Sequence, residues 1–111
     1  MNIIMNSIIL ILAVLLTSYI LPGVKVASLG TAIIVALLIG LLNVFVKPFI
    51  LLITLPINIL TFGLFTFVIN AFIILITSFL SKGFMVDNFW WALLFSIVLS
   101  MIAYILEVIF T

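Results

Sequence analysis

Lys25, Lys47, Lys82, Asp87 and Glu107 are the only charged side chains in a chain of 111 residues. Soluble domains carry roughly a quarter charged residues, so these five cannot build a water-facing surface. The hydrophobic share is 70%, and mean hydropathy is +1.85. Exposing such a surface to water would cost about 25 cal/mol per Å². The outer face of the folded chain must therefore meet lipid.

The same composition excludes whole classes of function. A net charge of +1 provides no basic patch for nucleic acid and no polybasic run for anionic lipid. Cysteine and histidine are absent, which removes disulfides, thiolate sites and the usual general base and metal ligand. There is no arginine, no Gly-rich phosphate loop and no cluster of metal ligands. Asp87 and Glu107 are expected on opposite sides of the membrane, too far apart for an acid–base dyad. Several serines exist, but none has a base to activate it. The sequence reads as a non-enzyme with no cofactor and no catalytic or metal site.

A spanning helix needs about 20 mostly apolar residues. The first candidate runs from about Ile3 to Leu21 and stops at Pro22-Gly23. It lacks a positive leader and a small-x-small cleavage site, so it reads as a retained helix rather than a signal peptide. The second runs from about Ser28 to Val46, ending at Lys47-Pro48, and the last from about Phe89 to Phe110. Between them, Phe49 to Leu80 is too long for one straight span at ~1.5 Å per residue. Pro56 divides this stretch. Residues after it suffice for a third full helix, and residues 49–58 read as a short re-entrant or interfacial elbow. The alternative is one long helix kinked at proline.

Thus the chain reads as an all-α integral membrane domain with four transmembrane helices. Two short loops, Pro22 to Ala27 and Ser81 to Asn88, hold Lys25, Lys82 and Asp87, and Tyr19, Trp90 and Trp91 flank them as interfacial rings. Four crossings put both loops on one side, with the termini and the Lys47-Pro48 corner on the other. The lysine count slightly favours cytoplasmic loops.

Shifted by sixty residues, the chain aligns with itself without a gap. Thr17-Ser18 meets Thr77-Ser78, Gly23 meets Gly83, Val26 meets Val86, and Ser28 meets Asn88. Ala32, Ala36 and Gly40 meet Ala92, Ser96 and Ser100, and Lys47 meets Glu107. The pattern reads as a duplicated helical hairpin: repeat 1 over about 1–48, the elbow over about 49–58, repeat 2 over about 59–111. Equal orientation of the copies implies a pseudo-twofold axis along the membrane normal.

Helical spacing then picks out the packing faces. Ala32, Ala36, Gly40 and Asn43 share one face, as do Ala92, Ser96, Ser100, Ala103 and Glu107. Small residues so spaced let backbones approach closely in lipid. Gly63, Thr66, Asn70 and Thr77 form a narrower polar seam. Asn43, Asn58 and Asn70 are expected to make interhelical hydrogen bonds, or else to line a substrate path. Lys47 and Glu107 are expected near the same membrane face, as an ion pair.

From Leu41 to Asn70 the sequence reads LLNVFVKPFILLITLPINILTFGLFTFVIN, and KGFMVDNFWWALL follows from Lys82. This resembles the bacterial four-span membrane proteins grouped as phage holin superfamily IV. The resemblance is carried by Asn43, Lys47, Pro48, Leu55, Pro56, Asn58, Thr61, Gly63, Leu64, Phe65, Asn70, Gly83, Phe84, Val86, Phe89 and Trp90. Lys47 stands where arginine is commoner, Phe62 where leucine is, and Lys82 where proline is. The resemblance implies a multi-pass protein of the bacterial cytoplasmic membrane with cytoplasmic termini, against the charge count.

Three functions are compatible with these features. One is a structural or interaction module acting as a homo-oligomer or within a larger membrane-protein complex. Another is a holin-like permeabiliser or channel, and the third a small lipid or solute transporter. None needs a nucleic-acid partner; lipid is the expected surroundings. The chain is expected to require detergent or lipid throughout purification, and monodispersity in plain buffer on size exclusion would overturn the membrane reading.

Overall fold

A computed structural model describes residues 3–110 of the chain. Helix α1 covers Ile3–Ile20, strand β1 Val24–Val26 and helix α2 Leu29–Phe45. Two short helices follow, α3 over Lys47–Ile53 and α4 over Leu55–Leu60. Then come α5 over Phe65–Leu80, strand β2 over Phe84–Val86 and α6 over Phe89–Phe110. The fold is mostly helical.

Helix ends follow local chemistry. Leu21, just before Pro22, donates its N–H to the Thr17 carbonyl at 3.0 Å and closes α1. Ser28 caps α2, its hydroxyl oxygen accepting from the Thr31 N–H at 3.2 Å. Asn88 caps α6 in the same way, Oδ1 accepting from the Trp91 N–H at 3.1 Å. Pro48 and Pro56 both sit in the first turn of a short helix, where the missing N–H costs no hydrogen bond.

Helix α1 packs on α2 and α6, and α5 packs on α6 and α2. The long helices thus form a four-sided bundle with α1 opposite α5. Its core holds Ala13, Val14, Val35, Ile39, Ile74, Phe95 and Leu99. Large outward residues such as Ile4, Tyr19, Ile34, Phe67 and Phe79 are exposed, the pattern of a surface whose solvent is lipid.

Both loops lie at one end, where they pair. β1 and β2 are antiparallel, with Val24 opposite Val86, Lys25 opposite Met85 and Val26 opposite Phe84. Lys25 and Met85 are sixty residues apart, so the pairing centres on equivalent positions. Flanking bonds recur with the same offset: Ala27 N–H to Gly83 O at 2.9 Å, and Asp87 N–H to Gly23 O at 3.0 Å. So do side-chain bonds, Thr17 Oγ1 donating to Ala13 O at 2.6 Å and Thr77 Oγ1 to Ile73 O at 2.8 Å.

Three expectations need correction. The chain is not wholly α-helical, because the loops form a two-stranded ribbon. The third long helix does not begin just after Pro56. It begins at Phe65, after a turn in which Phe62 (φ 56) and Gly63 (φ 85) adopt left-handed conformations. Gly63 N–H closes that turn on Asn58 O at 2.8 Å. The stretch is also not one kinked helix, since α3 and α4 are separated at Thr54. Two short helices and a turn occupy residues 47–64, where the elbow was expected over 49–58.

By length and hydropathy α1 and α6 can cross a membrane, and α2 with α3, bent by 43°, makes a third candidate. Helix α5 has 16 residues, about 24 Å at ~1.5 Å rise.

The ribbon end is closely fitted. A Cβ on Gly23 would run into the Trp91 ring, and one on Gly83 into Thr31. Residues 31 and 91 are again sixty apart, so each loop glycine is covered by a side chain from the helix that follows the other loop. Gly23→Ala is expected to cost about 1–3 kcal/mol through overpacking, seen as a lower unfolding midpoint in detergent. In a Trp91→Ala background the same change should cost little; an equal cost in both would refute the contact.

Candidate functional site

The bundle is locked at the ribbon end and opens at the other, and the sequence-selected residues divide between the two. Gly83, Phe84 and Val86 belong to the ribbon. Phe84 is buried, its ring 5.4 Å from that of Phe95, while Val86 packs against the core edge. Phe89 and Trp90 open α6, Trp90 directed outward. Lys25 and Lys82 both line a shallow depression beside Tyr19 and Ser18.

The elbow is a set of local caps. Thr61 Oγ1 donates to Ile57 O at 3.0 Å and accepts from the Phe65 N–H at 3.2 Å, joining α4 to α5. Thr66 Oγ1 lies 3.4 Å from Asn58 Oδ1, a long bond between the same helices. Leu55, Pro56, Gly63 and Leu64 shape the backbone here.

Away from the ribbon, α2, α3, α5 and α6 enclose a small cleft of about 80 Å³. Asn43, Lys47, Asn70, Ser96 and Ser100 bring polar groups to it, and Ile39, Ile73, Ile74 and Leu99 form the apolar floor. Four segments of sequence therefore converge on one polar spot. Ser96 Oγ donates to Leu93 O at 2.8 Å, and Ser100 Oγ to Ser96 O at 2.8 Å. Their protons are engaged and only oxygen lone pairs remain. The side chains of Asn43 and Asn70 form no hydrogen bond among the described residues, contrary to the expected interhelical bonding. Lys47 likewise forms no ion pair with Glu107 among the described residues. The bend after α2 brings Lys47 to the cleft, whereas Glu107 is half-buried in the last turn of α6.

A second feature lies between α1 and α2. There Asn6, Ser7, Leu10, Ala36, Gly40 and Asn43 line a groove of about 620 Å³. Ala32 and Ala36 are buried as the small-residue face requires. Gly40 departs from that expectation, because a Cβ there would meet nothing within 4 Å. Close packing at Gly40 is not used within one chain. Ser100 is likewise exposed at the cleft rim.

Sequence reasoning missed Thr31 and Trp91 as partners of the loop glycines. Their signal was the sixty-residue offset itself, which pairs them with one another as it pairs Gly23 with Gly83. The convergence on the cleft had no such signal, since it depends on the bend between α2 and α3.

The family described as mycobacterial 4 TMS phage holin, superfamily IV, matches residues 1–105. The uncharacterized membrane protein YvlD of Bacillus subtilis is 38% identical over 91 residues, covering 81% of this chain and 76% of that protein. The uncharacterized protein SCO3922 of Streptomyces coelicolor is 45% identical over 81 residues, covering 69% of this chain and 65% of its own length. This chain thus spans somewhat under two thirds of the second relative. No solved structure matches the chain. The apolar helices and these matches identify a bacterial membrane protein, and the chain belongs to phage holin superfamily IV.

Proposed function

We propose that the chain is a four-span module, built from two equivalent helical hairpins, that works by associating with copies of itself or with a larger membrane protein. The observation that carries this reading is the α1–α2 groove. It sets Asn6, Ser7 and Asn43 among apolar walls and leaves open space above Gly40. Polar groups facing outward in a bilayer favour protein contact over lipid, and a glycine without a neighbour admits a second backbone closely. The paired loops support four crossings, because they set both hairpins in one orientation. The elbow supports them by returning the chain to the side from which α2 left.

No reaction is assigned to the chain. The polar groups away from the ribbon include one lysine, two amides and two hydroxyls already bonded to backbone. That set has no acid–base pair.

The reading is tested by the mass and composition of the particle extracted gently from membranes. A particle larger than one chain is expected, and Gly40→Leu should shift it towards the monomer by filling the groove. A monomeric wild-type particle would overturn the proposal.

A permeabilising role is the second reading, favoured by the family's description as phage holins. A homo-oligomeric ring, rather than a complex with another protein, agrees with it. On this reading, induced expression collapses membrane potential, followed with a voltage-sensitive dye, and Gly40→Leu alters the onset. High expression with potential intact would exclude it.

A further inference from the structure

We propose that the cleft walled by Asn43, Lys47, Asn70, Ser96 and Ser100 binds a small monovalent anion, of the size and charge of chloride. Charge, hydrogen-bonding capacity and volume converge on that class of ligand.

Lys47, which carries a positive charge, lines the cleft, and no carboxylate is among the described residues that line it. Such a charge beside apolar side chains is costly without a counter-charge. The amides of Asn43 and Asn70 supply further donors, with no competing bond among the described residues. The two serine protons are committed to helix carbonyls. Their oxygens are therefore suited to accept from a water that accompanies the ion. A volume of about 80 Å³ holds two or three bodies of water's size, at ~30 Å³ each. That is room for a monatomic ion and a water.

Comparison within the chain shows that packing alone does not demand this polarity. Taking the two hairpins as equivalent, Asn70 corresponds to Leu10, Ser96 to Ala36, Ser100 to Gly40 and Asn43 to Ala103. Lys47 corresponds to Glu107, of opposite sign. Nearer the ribbon the two halves are buried alike: Thr17 with Thr77, and Ala32 with Ala92. A polarity required by helix packing would have appeared twice.

The experiment uses the full chain in lipid nanodiscs, with thermal unfolding followed in sodium gluconate and after titration with sodium chloride. Chloride is expected to raise the midpoint saturably by about a few degrees, as binding to the folded state alone requires. Lys47→Arg should retain the rise, and so should Lys82→Met, which lies outside the cleft. Lys47→Met and Asn70→Asp should abolish it. Broadening of the chloride NMR line by wild type, absent with Lys47→Met, is a second readout that does not depend on unfolding. An unchanged wild-type midpoint, an equal rise with sulfate, a rise seen only with anionic lipid, or a rise retained in Lys47→Met would each overturn the site. Particle mass measured on the same samples separates loss of anion binding from loss of association.

Discussion

Two loops sixty residues apart in sequence supply each other's missing backbone hydrogen bonds, and the rest of the bundle is arranged around that exchange. At a membrane boundary an unpaired N–H or C=O is expensive, and deeper it is prohibitive. A three-residue strand has no partner of its own. Pairing β1 with β2 satisfies both and fixes the four adjoining helix ends at once. The reciprocal contacts, Trp91 over Gly23 and Thr31 over Gly83, then admit only a narrow range of helix positions there. Among the described residues no strand pair ties the opposite end, where α1 and α2 border the groove and α2, α3, α5 and α6 the cleft. The groove and the cleft both occupy that half.

Hydroxyls behave consistently with lipid as solvent. Thr17, Ser18, Thr77, Ser78, Ser96 and Ser100 each donate to a carbonyl three or four residues earlier in their own helix. Such bonds keep a polar atom satisfied without a partner helix. They also mean that a polar stripe seen in sequence need not mark a polar contact between helices. The amides of Asn43 and Asn70 have no such retreat, because an asparagine in a helix interior reaches outward. They therefore mark the cleft, where the serines alone would not.

Much of this was legible before any coordinates. The ends of α1, α2 and α6 follow from Pro22-Gly23, Ser28 and Asn88, whose turn and cap chemistry is local. The common side of the two loops followed from counting crossings, and the offset of sixty from the placing of small and polar residues. The ribbon was not legible. Val-Lys-Val and Phe-Met-Val are too short for alternation to stand out against apolar neighbours. The start of α5 was missed because Phe62, a bulky residue, takes a conformation that sequence assigns to glycine or asparagine. The Lys47–Glu107 expectation failed because lying near the same membrane face does not make two residues adjacent. Lys47 meets the cleft through a 43° bend that depends on where α3 can rest against α5.

Taking the two hairpins as equivalent, as proposed, their differences are graded along the bundle, and the gradient has a physical cause. Beside the ribbon the alternatives are few: a methyl group on either glycine strikes a side chain, and Ala32 and Ala92 are both fully buried. Substitution there destabilises by overpacking. A turn or two further on, Ala36 stands opposite Ser96 and Gly40 opposite Ser100, small residues that either half can exchange without a change of volume beyond a few atoms. At the open end Asn43 answers to Ala103 and Lys47 to Glu107, with no shared packing requirement left. On the proposed equivalence of the hairpins, substitution is constrained beside the ribbon and less so away from it. The groove and the cleft both border the first hairpin there, and Asn43 lines the two of them.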